Sequence, residues 1–169
     1  MSFSDVMQNL AVGIIGGIFS SIIVSVVFYL LNEFQTEIDR ANDMIYPLYG
    51  LISFEKLGKF EMNLDFDPIE TYRDEAENNF SNFEPWRFKG GLHNAMCEIN
   101  NIISDGKYYK KDMKLNPEMI SEFSKDIEVQ LELIQKCEKN FALEFLRRVF
   151  KNKIIIATIF VFMVIILVA

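Results

Sequence analysis

The side chains with the widest chemical range are few: one histidine and two cysteines, set among 24 acidic and 17 basic residues. His93 stands four residues before Cys97, a spacing that puts both on one helical face and would supply half a metal site. No second pair of ligands accompanies them, so no metal is expected. No glycine-rich phosphate loop, nucleophile elbow or zinc-protease signature is present. The acidic residues are plentiful but fall on the polar sides of helical patterns, and nothing singles out any two as a catalytic pair. These absences predict no catalytic residues and no cofactor, hence a protein that is not an enzyme. Cys97 and Cys137 are read as reduced, small hydrophobes rather than a disulfide.

Two short segments mix bases with aromatic rings: Trp86-Arg87-Phe88-Lys89, and Lys107-Tyr108-Tyr109-Lys110-Lys111 followed by Lys114. Cations hold phosphates and rings stack on bases, so Arg87, Lys89, Lys107, Tyr108, Tyr109, Lys110 and Lys111 are the candidate ligand-binding residues. The ligand in that reading is a nucleotide or short oligonucleotide. Anionic lipid headgroups or an acidic protein partner fit the same charge. The plainer reading is a solvated loop whose rings anchor its base. Charge is divided along the chain: residues 32–80 hold 12 acidic and 4 basic residues, a net of −8, and residues 85–153 hold 13 basic and 10 acidic, a net of +3.

A third pattern is apolar. Gly13, Gly17, Ser21 and Ser25 recur every four residues, with Gly16 and Ser20 beside them. Small residues on one helix face let a second helix approach closely in lipid, where packing drives association. The partner is either the other apolar segment of this chain or further copies of it. Around a symmetry axis of a homo-oligomer, the serine hydroxyls would line a narrow pore, and Glu33 and Glu37 at its inner mouth would favour cations.

The elements that carry these residues follow from hydropathy. Residues 10–31 hold no charge over 22 positions. As a helix they reach about 33 Å, enough to cross a bilayer. Residues 154–169 form a second uncharged run of 16. It reaches only about 24 Å and needs bilayer thinning or help from Lys153. Ile155, Ile159, Phe162 and Ile166 make it bulky on every side, suited to face lipid. Arg147, Arg148, Lys151 and Lys153 precede this run, while residues 1–9 hold no Lys or Arg. That asymmetry predicts an inner-membrane protein with a cytoplasmic centre and both ends outside. A signal peptide fits poorly, lacking a basic start and exceeding the usual apolar length.

The expected fold class is all-α: an external tail (1–9), a membrane helix (10–31), a cytoplasmic helical bundle (32–153) and a second membrane helix (154–169). Ile38, Ala41, Ile45, Leu48 and Ile52 extend the first helix as an amphipathic continuation, kinked at Pro47. Residues 58–67 read as a connector with some extended character. Asp67-Pro68-Ile69-Glu70 starts a helix to about Phe80. Leu92, Met96, Ile99 and Ile103 mark another over 86–103. Asn116-Pro117-Glu118 starts the last pattern, striped by Ile120, Phe123, Ile127, Leu131, Ile134, Phe141 and Phe145. It predicts one helix of about 50 residues running into the second span.

In layout, two terminal spans around a small helical cytoplasmic domain, the chain resembles the small two-span effectors of bacterial anti-phage defence, the Hailong type among them. The resemblance lies in the plan and carries over no residue. It implies a gated channel, a tetramer and a nucleic-acid ligand. The expected function is therefore an oligomeric membrane effector, a channel or permeabilising protein controlled through its cytoplasmic domain. The alternative is a non-conducting anchor or scaffold whose bundle docks a cytoplasmic protein.

Overall fold

The computed structural model describes residues 3–57, 67–111 and 113–168. Among them are six α-helices: α1 (Phe3–Leu57), α2 (Pro68–Phe80), α3 (Gly90–Ser104), α4 (Ile120–Lys139), α5 (Phe141–Lys151) and α6 (Lys153–Val168). Single 3-10 turns stand at Pro85–Arg87 and Gly106–Tyr108, and the described residues contain no strand beyond one isolated bridge between Tyr109 and Leu115. The all-α expectation holds. Of the connector expected at 58–67, all but Asp67 lies outside the described residues. Contacts divide the chain into two compact units, one combining the chain up to Thr36 with the chain from Phe141 onward, the other spanning Glu37–Asn140.

The Glu37–Asn140 unit is a four-helix bundle. The second half of α1 buries Ile38, Ala41, Ile45, Leu48 and Ile52, the stripe that the sequence spacing picks out. Pro47 sits inside this helix and is itself buried. A proline has no N–H to give the carbonyl four residues earlier, which here is that of Asp43. The Asn79 amide of α2 meets this gap, donating to the carbonyls of Asp43 and Met44, each at 3.4 Å. Tyr72 lies beside Gly50, and its ring is tilted against Phe54 at 5.6 Å. A Cβ on Gly50 would come within 2.6 Å of that ring, so the glycine sets how closely α2 approaches.

Asp67 caps α2 as its sequence suggests, accepting from the N–H groups of Ile69 and Glu70, with Pro68 in the first turn. α4 runs antiparallel to α1. Asn42 donates to Glu138 at 2.6 Å, Gln135 to the Tyr49 hydroxyl at 3.3 Å, and Lys56 to Glu128 at 2.5 Å. α3 packs along α4, burying Leu92, Met96, Ile99 and Ile103 against Phe123, Ile127, Leu131 and Ile134.

Three sequence expectations need correction. The 50-residue terminal helix is three helices, broken at Asn140 and Asn152. The Asn152 side chain restarts the chain as a cap, accepting from the N–H groups of Ile154 at 2.9 Å and Ile155 at 3.3 Å. The helix expected from Asn116 begins at Ile120 instead. Asn116 holds a turn, receiving the N–H of Glu118 on its side chain and that of Met119 on its carbonyl. The helix expected from Trp86 begins at Gly90, whose φ of 62° lies in the left-handed region that only glycine adopts freely. The first membrane helix is also longer than its apolar run, since α1 is helical from Phe3 through Leu57.

In the terminal unit, α1 is the one helix among the described residues that is long and apolar enough to cross a membrane, and its apolar stretch is exposed. α6 is apolar but shorter than such a span. It buries Ile155 and Thr158 and sets Phe162 at 5.5 Å from Phe19. Its other described side chains are largely exposed, while that of Ile166 lies outside the described part.

Candidate functional site

The small-residue face of α1 is the first candidate. At 3.6 residues per turn, the half-buried residues Gly16, Phe19, Ile23, Val26 and Val27, with buried Leu30, share one face, the one that Phe162 of α6 touches. Gly13, Gly17, Ser21 and Ser25 lie about 150° around the helix from it. All four are exposed, and a Cβ built on Gly13, Gly16 or Gly17 meets nothing within 4 Å. Of the two partners open at the sequence level, α6 of the same chain is therefore not the one this face contacts. The hydroxyls of Ser21 and Ser25 donate at 2.8 Å to the carbonyls of Gly17 and Ser21. Bonds of this type satisfy a hydroxyl donor without water and leave its lone pairs facing outward.

Glu33 and Glu37 differ from each other. Glu33 is half-buried, whereas Glu37 is 3% exposed. A carboxylate that attracts passing ions has to reach water, and within the single chain Glu37 does not. Sequence periodicity puts both residues one turn apart on the same helix without showing which is covered.

The basic and aromatic segments are the second candidate, and the fold separates them. Arg87 and Lys89 precede α3 and Lys107–Lys111 follow it; the 15 residues of that helix set them about 22 Å apart. Arg87 is paired with Glu84. At the far end, Tyr108 is 1% exposed and packs edge-on against Phe123 at 5.1 Å. Its hydroxyl donates to Asp126 at 2.5 Å. The Tyr109 hydroxyl donates to the Ile103 carbonyl at 2.6 Å, and the Arg73 guanidinium lies 5.6 Å from its ring centre. Lys107 stands over the Tyr108 ring at 4.4 Å and reaches Glu122 at 3.4 Å. Tyr108 is enclosed and Tyr109 is half-buried with Arg73 over its ring, so both rings anchor the loop.

The loop is held on its other side as well. Glu70 of α2 accepts the N–H of Leu115 at 2.8 Å, and Arg73 beside it pairs with Glu70, Asp74 and Glu77. The turn is closed by Lys110 N–H to the Lys114 carbonyl at 2.8 Å, with Met113 at a φ of 65°. Lys110 and Lys111 ride exposed on this turn and are the members of the cluster best placed to meet an anion. A cleft of about 320 Å³ lies beside Tyr108, edged by Glu98, Asp105, Asp126 and Lys107. Three carboxylates against one ammonium give it the wrong sign for a phosphate.

No protein-family model, curated protein or solved structure matches this chain. The Nδ1–H of His93 donates to the Pro85 carbonyl at 2.9 Å, and its Nε2 lies 3.7 Å from the Cys97 thiol; among the described residues no group of three or more His, Cys, Asp or Glu could hold a metal.

The tyrosine anchors have a measurable signature. Burial pushes the Tyr109 phenol from 10.0 up to about 12, and burial, reinforced by Asp126, raises Tyr108 as well. In the unfolded chain both phenols ionise near 10. Stability that is complete below pH 10 is therefore lost as pH rises through 12, because the unfolded chain gives up its protons first. Thermal unfolding followed by circular dichroism should show a falling midpoint between pH 10 and 12. Tyr109→Phe should flatten that fall, and an unchanged slope would remove Tyr109 as its source.

Proposed function

We propose that this chain is a membrane-embedded homo-oligomer that conducts ions, with the Glu37–Asn140 bundle as its cytoplasmic regulatory module. What carries the reading is the Gly13, Gly17, Ser21 and Ser25 face: exposed, free of charge, flanked by apolar side chains, and turned away from the chain's own second apolar helix. In lipid such a face is left without a packing partner unless another helix covers it. Copies of α1 meeting there would direct the lone pairs of Ser21 and Ser25 toward a shared axis, with α6 between α1 and the lipid. The resemblance of the sequence plan to that of two-span defence effectors supports a conducting state that opens on a signal. In this reading, both α1 and α6 cross the inner membrane, and the signal is an anion or protein meeting the bundle at Lys110 and Lys111.

A second reading is a non-conducting anchor whose bundle docks a cytoplasmic partner. It is favoured by the commitment of both serine donors to backbone carbonyls, which lets the face pack dry.

Current through a planar bilayer separates the two. Purified full-length protein should give discrete conductance steps, with or without added nucleotide or oligonucleotide, that disappear in the Gly17→Leu/Ser21→Leu double variant. Intact oligomers that pass no current under any of these conditions would leave the anchor.

A further inference from the structure

α5 stands apart from the helices on either side of it. One face, carrying Phe141, Phe145 and Arg148, turns toward α1: Phe141 stacks on Phe34 at 4.8 Å, and the Arg148 guanidinium lies 4.1 Å from the Phe34 ring centre. The opposite face is apolar yet uncovered. Leu143, Leu146 and Phe150 recur at three and four residues, and Phe150 is 70% exposed. Arg147 and Lys151 flank this face on one side, and Lys153 opens α6 just beyond it. The one acid of α5, Glu144, pairs with Arg147 at 3.0 Å. Arg147, Arg148 and Lys151 against Glu144 leave the helix with a net of +2.

Its level along α1 fixes what could cover it. Phe34 is three residues past the end of the uncharged run at 31, about 4.5 Å along the helix axis. If residues 10–31 cross the bilayer, α5 sits where acyl chains give way to headgroups. The cap at Asn152 points the same way. A chain that simply continued as one rod would need no new cap, whereas Asn152 ends one helix and begins the next. An apolar face bordered by arginine and lysine, at headgroup depth, next to a restart into an apolar helix, has the composition of a helix that lies in the membrane plane.

We infer that α5 is an interfacial helix: Leu143, Leu146 and Phe150 enter the outer acyl layer of the leaflet, and Arg147, Lys151 and Lys153 bind lipid phosphates, preferring anionic lipid. This rests on the membrane reading of α1 given above.

The test uses the full chain carrying Phe150→Trp with Trp86→Phe, so that its single indole lies on the apolar face of α5. It is reconstituted in vesicles of phosphatidylcholine with or without phosphatidylglycerol. Alkaline carbonate washing and flotation come first. Protein that fails to float with the vesicles overturns the membrane reading and the inference with it. Protein that floats is then probed by quenching. Lipids brominated near the carbonyl end of the acyl chain should quench the introduced indole strongly, aqueous iodide weakly. Brominated phosphatidylglycerol should quench about twofold more than brominated phosphatidylcholine at equal mole fraction, and Arg147→Glu/Lys151→Glu should erase that preference. Floating protein quenched by iodide instead, or by neither agent because a protein surface covers the face, overturns the interfacial assignment and leaves the span untouched.

Discussion

Replacing Gly17 and Ser21 together with leucine should convert the proposed oligomer to monomers, raising its dissociation constant by about tenfold or more in mild detergent. The size of the effect comes from geometry. Close approach of two helix backbones requires that nothing project between them, and each leucine sets a bulky branched side chain on the contact line. The variant is clean because a Cβ at Gly17 meets nothing within 4 Å inside the chain, so the monomer has no reason to misfold. Phe160→Ala, on an exposed part of α6, is the matched control and should leave the assembly intact. Sedimentation velocity reads both. An unchanged distribution for the double variant would show that the face is not the contact.

The second large effect is in the bundle. Phe123 is wholly buried at the α3–α4 contact and receives the edge of the Tyr108 ring. Phe123→Ala removes a ring from a packed core, which costs about 3–5 kcal/mol in transfer and cavity terms. A domain of this size is held by about 5–15 kcal/mol in all. At a urea slope of about 1–3 kcal/mol per molar, the midpoint should fall by roughly 2 M. The loss should also release Tyr108, whose hydroxyl bond to Asp126 depends on the ring being pinned. Val129→Ala, on the exposed side of the same helix, should shift the transition little. Equal shifts for the two variants would contradict the assigned core.

How far the sequence can be read depends on whether a signal is periodic or singular. The stripes through Ile38–Ile52 and Phe123–Ile134 are periodic, and their residues are buried as expected. Asp67-Pro68 is a cap followed by a residue that cannot donate, and α2 starts there as that pairing suggests. Asn116-Pro117 offers a similar cap and proline with a different outcome, since Asn116 closes a turn before α4 begins. Nothing local distinguishes the two. Asn140 and Asn152 are unreadable as breaks because asparagine is tolerated within helices, and only the cap on Ile154 and Ile155 shows what Asn152 does.

The candidate sites divide along the same line. The Gly13–Ser25 spacing is visible in the sequence, but which side of α1 its own chain covers is not, because that depends on the phase of α6. Charge and aromatic content draw attention to Tyr108 and Tyr109, while their burial depends on Asp126, Ile103 and Arg73, which lie apart in sequence. The apolar face of α5 stays hidden as long as residues 117–169 are taken for one rod. Within such a rod, Leu143, Leu146 and Phe150 register as stray hydrophobes beside the main stripe.

Pro47 has one more consequence. Packed side by side, helices can slip lengthwise by a turn at small expense, since one rung of leucine and isoleucine resembles the next. The gap that the imino ring leaves in the backbone ladder is unique along that stretch of α1, and the carboxamide of Asn79 fits it at one height only. A shift of one turn, about 5.4 Å, would strand both groups. A residue usually regarded as a flaw in a helix here works as a latch that fixes where its neighbour stops.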